Sequence, residues 1–312
     1  MKYIKKFKTD ADYQTFKGSD DWIMPNVCSI VENEVVKYQE IILPPMYGDI
    51  VFWDGSKVDY VNKTKWKTKL GTPIGVVVVP EGFAPDGKAR FIALNAVDAS
   101  GNTSTSEISM VWSNTSGDTS LTNFTKVPTT DNTGSTSTGS SYGGYLPSDS
   151  FSGNQSFVDA KAKYQIDRTS NLIPSPYLTI DGKDTPNPEY YKEISDNNVL
   201  SDFSGLSNTE TLVGLGSDYV AANAAWDYSD GLSNVQYYLP AMGELGYLLP
   251  RFNDINESLN LIGGVVVGSS SNFWSSSECS IGNAYCLRVN FSDVSNFGKY
   301  NNTMIVRPFG VI

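Results

Sequence analysis

The sequence predicts an α+β protein made of short antiparallel strands, a few short helices and very long loops. Three observations predict it. Only 18% of the 312 residues are charged while 12% are aromatic, with 27 Gly and 15 Pro, the balance of a strand- and loop-rich chain. β-prone runs follow one another closely from Gly48 onward, separated by turn residues. One later stretch carries apolar residues at helical spacing. At 40% hydrophobic the chain can bury a sizeable core, and its length allows one large domain or two smaller ones.

Residues 1–42 read as a small module. Thr9 is an N-cap with Asp12 three residues on, and Tyr13 and Phe16 share a helical face. "NVCSIVENEVVKYQ" then reads as a β-hairpin. So short a piece cannot hold a core alone, so it reads as an attachment or oligomerisation module. "LPP" at Leu43–Pro45 marks its end. In "GDIVFWDGSKVDYV", Asp54-Gly55 between two β-prone runs signals a second hairpin. "TPIGVVVVPEG" and "ARFIALN" are buried strands, and "SMVWS" is a short one. Residues 113–141 are almost all Ser, Thr, Gly and Asn, the composition of a flexible linker or a long surface loop; we read a loop within one domain spanning 48–312.

"FSGLSNTETLVGL" and "YVAANAAWDY" are short helices. In "PAMGELGYLLPRFNDINESLNLIGG", Met242, Leu245, Leu248, Leu249, Phe252, Ile255 and Leu259 recur at steps of three and four. Pro250 kinks or splits this helix, and Gly263-Gly264 ends it. "VVV" at 265–267 and the segment 273–312 then alternate as strands do.

Composition excludes several function classes. A net charge of −11 argues against nucleic-acid binding, and the Lys2, Lys5, Lys6, Lys8 cluster reads as a solvated face. With no histidine, Ser-His-Asp and Cys-His catalysis and imidazole-ligated zinc are out. Cys28, Cys279 and Cys286 form no CxxC; a Cys279–Cys286 disulfide and two free thiols both remain open. The N-terminus lacks the apolar stretch of a secretory signal, and no run is long enough to span a membrane. Synthesis in the cytoplasm is expected, with exit by lysis or by assembly into a particle. No cofactor or metal is called for, although "DASGNTSTSE" leaves a calcium ion open without a clean EF-hand spacing. Glu244 and Glu278 stand out as carboxylates in apolar surroundings. No phosphate loop, dinucleotide fingerprint or nucleophile elbow occurs.

"YYLPAMGELGYLLPRFNDINESL" followed by "FWSSSE…NAY…VRPF" resembles the C-type lectin fold variable proteins of diversity-generating retroelements, most of all those of gut bacteria and their phages. "GDIVFWDG", "LGTPIGVVVVP", "YLPSDSFSG", "PSPYLTIDG" and "NPEYY" extend the resemblance across roughly Gly48 to Ile312. The formylglycine-generating enzymes share that fold family, but the cysteines here do not match their site. Nor are the Glu-Pro-Asn, Gln-Pro-Asp or Trp-Asn-Asp motifs of calcium-dependent sugar binding present.

The resemblance implies an elaborated C-type lectin fold over 48–312 with a variable region in 273–312. In such proteins a retroelement mutates template adenines, chiefly in AAC codons. Such codons reach most residue types but not Lys, Glu, Gln, Trp or Met. The binding positions it implies are Cys279, Ser280, Ile281, Gly282, Cys286, Arg288, Ser292, Ser295, Phe297, Tyr300, Asn301, Asn302, Thr303 and Ile305. All hold residues AAC can reach; Met304, at another candidate position, does not. Trp274, Tyr285, Arg307 and Glu244 are the expected scaffold, with outward residues between inward ones. The implied function is ligand binding without catalysis, as the receptor-binding part of a phage tail fibre. Its target is a protein or glycan on a cell surface, and related phage proteins imply a homotrimer. A bacterial surface adhesin is the alternative. A virion-borne polysaccharide hydrolase using two carboxylates is the alternative from another class.

Overall fold

The computed structural model describes residues 4–6, 27–32, 35–41, 44–117, 119–124, 177–180, 183–193, 199–291 and 293–312. Strands β1 (Ile4–Lys6), β2 (Val27–Glu32) and β3 (Val35–Ile41) form an antiparallel sheet in the order β1-β3-β2. The hairpin expected in "NVCSIVENEVVKYQ" is the β2–β3 pair, with Val27 opposite Glu40 and Glu32 opposite Val35. The helix expected after Thr9 lies outside the described residues.

A five-stranded antiparallel sheet follows: β4 (Ile50–Trp53), β5 (Val58–Val61), β6 (Thr72–Val79), β7 (Arg90–Ala93) and, from the C-terminus, β17 (Phe309–Val311), in the order β17-β7-β6-β4-β5. Asp54 turns the β4–β5 hairpin by accepting the Ser56 and Lys57 amides at 2.7 and 2.9 Å. β4 and β17 thus place both ends of the 48–312 stretch in one sheet.

Between the two large sheets come β8 (Ala96–Val97) paired with β9 (Thr103–Ser104), and β11 (Tyr177–Ile180) paired with β12 (Lys183–Pro186). The helices are α1 (Pro188–Glu193), α2 (Gly205–Leu215), α3 (Val220–Asp227), α4 (Met242–Leu245) and α5 (Phe252–Leu261). The periodic stretch is split as Pro250 requires: α4 runs into a 3-10 turn at Gly246–Leu248, and α5 starts afresh at Phe252. Its seven periodic apolar residues are all buried. The Gly264 amide closes α5 on Leu259 O at 2.8 Å.

The second large sheet has the order β10-β16-β13-β14-β15, from β10 (Ser109–Val111), β13 (Asn272–Ser280), β14 (Asn283–Arg288), β15 (Asp293–Gly298) and β16 (Thr303–Ile305). All its pairings are antiparallel except β13–β16, where Phe273 lies beside Ile305. Val265–Val267 was expected to be a strand and is not. Its polar backbone groups are taken elsewhere: Val265 bonds Leu94 and Arg307, and Val267 bonds both amide atoms of Asn256.

Two apolar clusters flank these sheets. Along β14, Tyr285 and Leu287 enter one cluster while Ala284 and Cys286 enter the other. On β6, Val76 and Val79 go one way, Ile74 and Val77 the other. Strands covered on both faces read as near-continuous apolar runs, as "IGVVVV" does.

Candidate functional site

The C-terminal candidate residues sit on a frame that begins with Trp274. Its ring is buried and its Nε1 donates to Met110 O at 2.9 Å. Next, β13 leaves regular pairing: Trp274 lies opposite Cys286, but Glu278 lies opposite Ala284. The extra length holds Ser275, Ser276 and Ser277, all buried. Each is an internal joint. Ser275 Oγ donates to Tyr285 O at 2.9 Å, and Ser275 O accepts Trp112 Nε1 at 2.8 Å. Ser276 N donates to Pro240 O at 2.9 Å. Ser277 Oγ donates to Asp202 at 2.6 Å and accepts the Met242 amide at 2.9 Å, tying β13 to the start of α4. Small hydroxyl side chains suit this place because they bond backbone locally at little volume.

Glu278 closes the frame. It is 1% exposed and pairs with Lys299, which is 0% exposed. Its other oxygen accepts Thr119 Oγ1. The Lys299 ammonium also lies 4.7 Å from the Trp112 ring centroid. Backbone bonds complete the joint: Lys299 N to Gly282 O at 2.9 Å, Trp112 N and Ser113 N to Lys299 O at 3.0 and 3.1 Å, and Phe124 N to Glu278 O at 3.0 Å. Tyr285 OH donates to Phe124 O. The β13–β14 turn and the turn after β15 are therefore fastened to each other from below.

The Ser/Thr-rich stretch read as a loop is an irregular loop over its described part, 113–124, exposed at 114–116, 120, 122 and 123 but anchored to the frame. Ser113 and Thr119 are buried, and Asn123 bridges Glu278. The Thr119 hydroxyl and the Phe124 amide bond Glu278, and the Ser113 amide bonds Lys299. The remainder, 125–141, lies outside the described residues.

The expected binding positions divide three ways. Ile281 is 56% and Tyr300 54% exposed, and Asn301 and Thr303 are exposed with them. Cys279, Ser280, Gly282, Arg288, Phe297 and Asn302 are half-buried, and the Arg288 guanidinium lies 5.9 Å from the Phe297 ring centroid. Cys286, Ser295 and Ile305 are buried, as is Met304, which corrects the expectation that the interleaved residues all face outward. The reason is the double-sided core: on a strand covered on both faces, alternation leads from one interior to another. Ser292 lies outside the described residues. Cys279 and Cys286 are both free. They pack against different apolar clusters, Cys279 against that of Tyr285 and Cys286 within that of Trp274. Burial pushes the Cys279 thiol above its usual range.

Arg307 is buried and donates to Ala93 O at 3.0 Å and Val265 O at 2.9 Å, with Glu107 at 3.4 Å. It joins the end of the C-terminal segment to β7. Glu244 is buried below α2, accepting Arg90 Nε at 2.9 Å, Tyr238 OH at 3.1 Å and the Ala241 amide at 2.8 Å. Burial pushes its carboxyl up to about 7, against the pull of Arg90. Gly205 is required beside it, since a Cβ there would come within 2.2 Å of Glu244 Oε2. A cleft of about 280 Å³ opens over this pair, with Asp86 and Glu210 among its walls.

No three His, Cys, Asp or Glu side chains converge among the described residues in a way that would hold a metal. In "DASGN" the Asp98 carboxylate accepts the Ser100 and Asn102 amides of its own turn, at 2.8 and 2.9 Å. No helix among the described residues is long and apolar enough to cross a membrane. Sequence reasoning missed Thr119, Trp112, Lys299, Asp202 and Arg90. The available signal was a lysine in an otherwise uncharged stretch, matched to the lone acid of "WSSSE".

No family model and no curated protein matches the sequence. Among solved structures, a fimbrial protein from Bacteroides ovatus aligns with 91% of the chain at a TM-score of 0.40 and 13% identity, and the chain spans 61% of that protein's length.

Proposed function

We propose that the chain is a ligand-binding protein with an elaborated C-type lectin fold over 48–312, displaying a diversified surface from its C-terminal turns. One observation carries this reading: Ile281 and Tyr300, the exposed large apolar side chains among the described residues of 273–312, project from turns clamped beneath by the buried Glu278–Lys299 pair. A surface that must accept arbitrary side chains needs its backbone held by residues other than those displayed. The binding set consists of Ile281, Tyr300, Asn301 and Thr303, with Cys279, Ser280, Gly282, Arg288, Phe297 and Asn302 at its margin. The favoured setting is the receptor-binding part of a phage tail fibre; a bacterial surface adhesin is the other binding setting. Its target is a protein or glycan on a cell surface.

Sequencing the locus and its flanks tests the reading. A nearby reverse transcriptase, and a template differing from the gene's 3′ end only at adenines, is the expected result. Invariant codons at 281 and 300–303 across a population, with no template, would sink it.

The cleft over Glu244 favours a second reading, a polysaccharide hydrolase with Glu244 as acid and Asp86 or Glu210 as partner. Both Glu244 oxygens already accept hydrogen bonds from the chain, which weighs against it. Release of reducing ends from a polysaccharide panel, abolished in Glu244→Gln, would establish it.

A further inference from the structure

We propose that a second binding site lies at the opposite end of β13 from the turns, and that it takes a neutral saccharide. A cleft of about 410 Å³ opens where β13 begins, between the Gly268–Ser271 turn, Ser109 of β10 and Thr303–Ile305 of β16. That volume lies within the ~300–1,000 Å³ range of small-molecule sites. No residue lining it is charged.

The lining is rich in uncommitted polar groups. Ser109, Ser269, Ser270 and Thr303 are exposed at the rim, and their hydroxyls make no hydrogen bond among the described residues. Asn272 also lines the cleft; its Oδ1 is shielded from solvent and lacks a partner among the described residues. A shielded acceptor of this kind ordinarily finds a donor, and a hydroxyl entering the cleft supplies one. Hydroxyls and an amide both donate and accept, as sugar hydroxyls do. Met304 and Ile305, both nearly buried, close the floor of the cleft with apolar atoms. An uncharged lining cannot repay the desolvation of an ionic ligand. β16, which lines the cleft, is paired on both sides, with β10 and β13, so an extended peptide in the cleft cannot add to it as a strand.

The turn that shapes the cleft is fixed from behind. Ser271 N donates to Gly268 O at 3.1 Å. Glu107 Oε2 accepts Ser271 Oγ at 2.5 Å and the Gly268 amide at 3.3 Å, while its Oε1 faces Arg307. Gly268 has no room for a side chain, since a Cβ would come within 2.4 Å of Ser271 Oγ. The network places the Ser269 and Ser270 hydroxyls without using them. The cleft shares Thr303 and Ile305 with the C-terminal candidate positions, yet it does not require the turns to bind anything.

Calorimetric titration of the full chain with glucose, galactose, mannose and N-acetylglucosamine, and with sialic acid as charged control, tests this. At least one neutral sugar should bind with a Kd on the order of 1 mM, and sialic acid should not. Ser270→Arg and Thr303→Arg, both at exposed rim positions, should each weaken binding about tenfold or more. Ile281→Asn and Tyr300→Ala should leave it unchanged. Should one arginine variant lose its folded circular dichroism spectrum, the other decides. No binding of any neutral sugar, or binding that survives the arginine variants, overturns the site. Binding lost only in Ile281→Asn or Tyr300→Ala overturns it while supporting the turns as the binding face.

Discussion

Lys299 is fully buried and Tyr300, the next residue, is 54% exposed; Glu278 is 1% exposed and Ile281, three residues on, is 56% exposed. The chain passes from deep interior to open surface twice within a few residues. On one side of that boundary the side chain is dictated by partners: a cation for Glu278, a carbonyl for the Trp274 indole, a hydroxyl for Asp202. On the other side nothing in the fold dictates it. Buried clamp and exposed turn lie one to three residues apart, so the backbone of each turn is fixed by side chains other than the exposed ones.

Breaking the clamp should have the largest effect. Lys299→Met leaves Glu278 buried without its cation and should cost about 3–5 kcal/mol, read from urea unfolding. The pair Lys299→Met with Glu278→Gln should recover part of that loss; no recovery would show that the charge pairing is not what the clamp supplies.

A buried acid without a directly paired cation sharpens the contrast. Among the described residues Asp49 accepts the Met46 amide and the Asn62 side chain, at 2.9 and 3.2 Å, and burial pushes its carboxyl up to about 6. The folded state then holds a proton that the unfolded chain, near 3.8, releases earlier. The resulting stability is fully present below the unfolded value and lost as pH rises through about 6. It should amount to at most about 3 kcal/mol. Asp49→Asn should flatten the stability profile across that window, and an unchanged slope would assign it to other groups.

The same substitution on the two sides of the boundary tests it directly. Cys286→Asn puts a larger, polar amide where a buried thiol packs within the Trp274 cluster and should cost about 1–3 kcal/mol. Ile281→Asn should stay within about 0.5 kcal/mol. Equal costs would mean that the turn is held by its own side chains and is not free to vary.

Much of the frame was legible. The α4–α5 split follows from one proline in a clear apolar period, and the β4–β5 hairpin from Asp54-Gly55. What was not legible depends on partners remote in sequence. Alternation along β14 correctly separated two faces, but no local signal says that both are covered, so Cys286 read as an outward position. Thr119 belongs to a stretch whose composition reads as linker, because burial of a hydroxyl is decided by the carboxylate it meets. Val265–Val267 has a strand's composition, yet its backbone groups are claimed by Leu94, Arg307 and Asn256.

Those remote partners also set an order in time. The Thr119–Glu278 bond joins residues 159 positions apart, and Trp112 reaches Ser275 across 163. Closing such loops costs entropy before any contact compensates for it, and folds rich in distant contacts form slowly. The β13–β14 hairpin can pair locally, but its turn is fastened only when the 113–124 stretch arrives. The turns that carry Ile281 and Tyr300 thus depend, for their support from beneath, on contacts that bring together segments more than 150 residues apart.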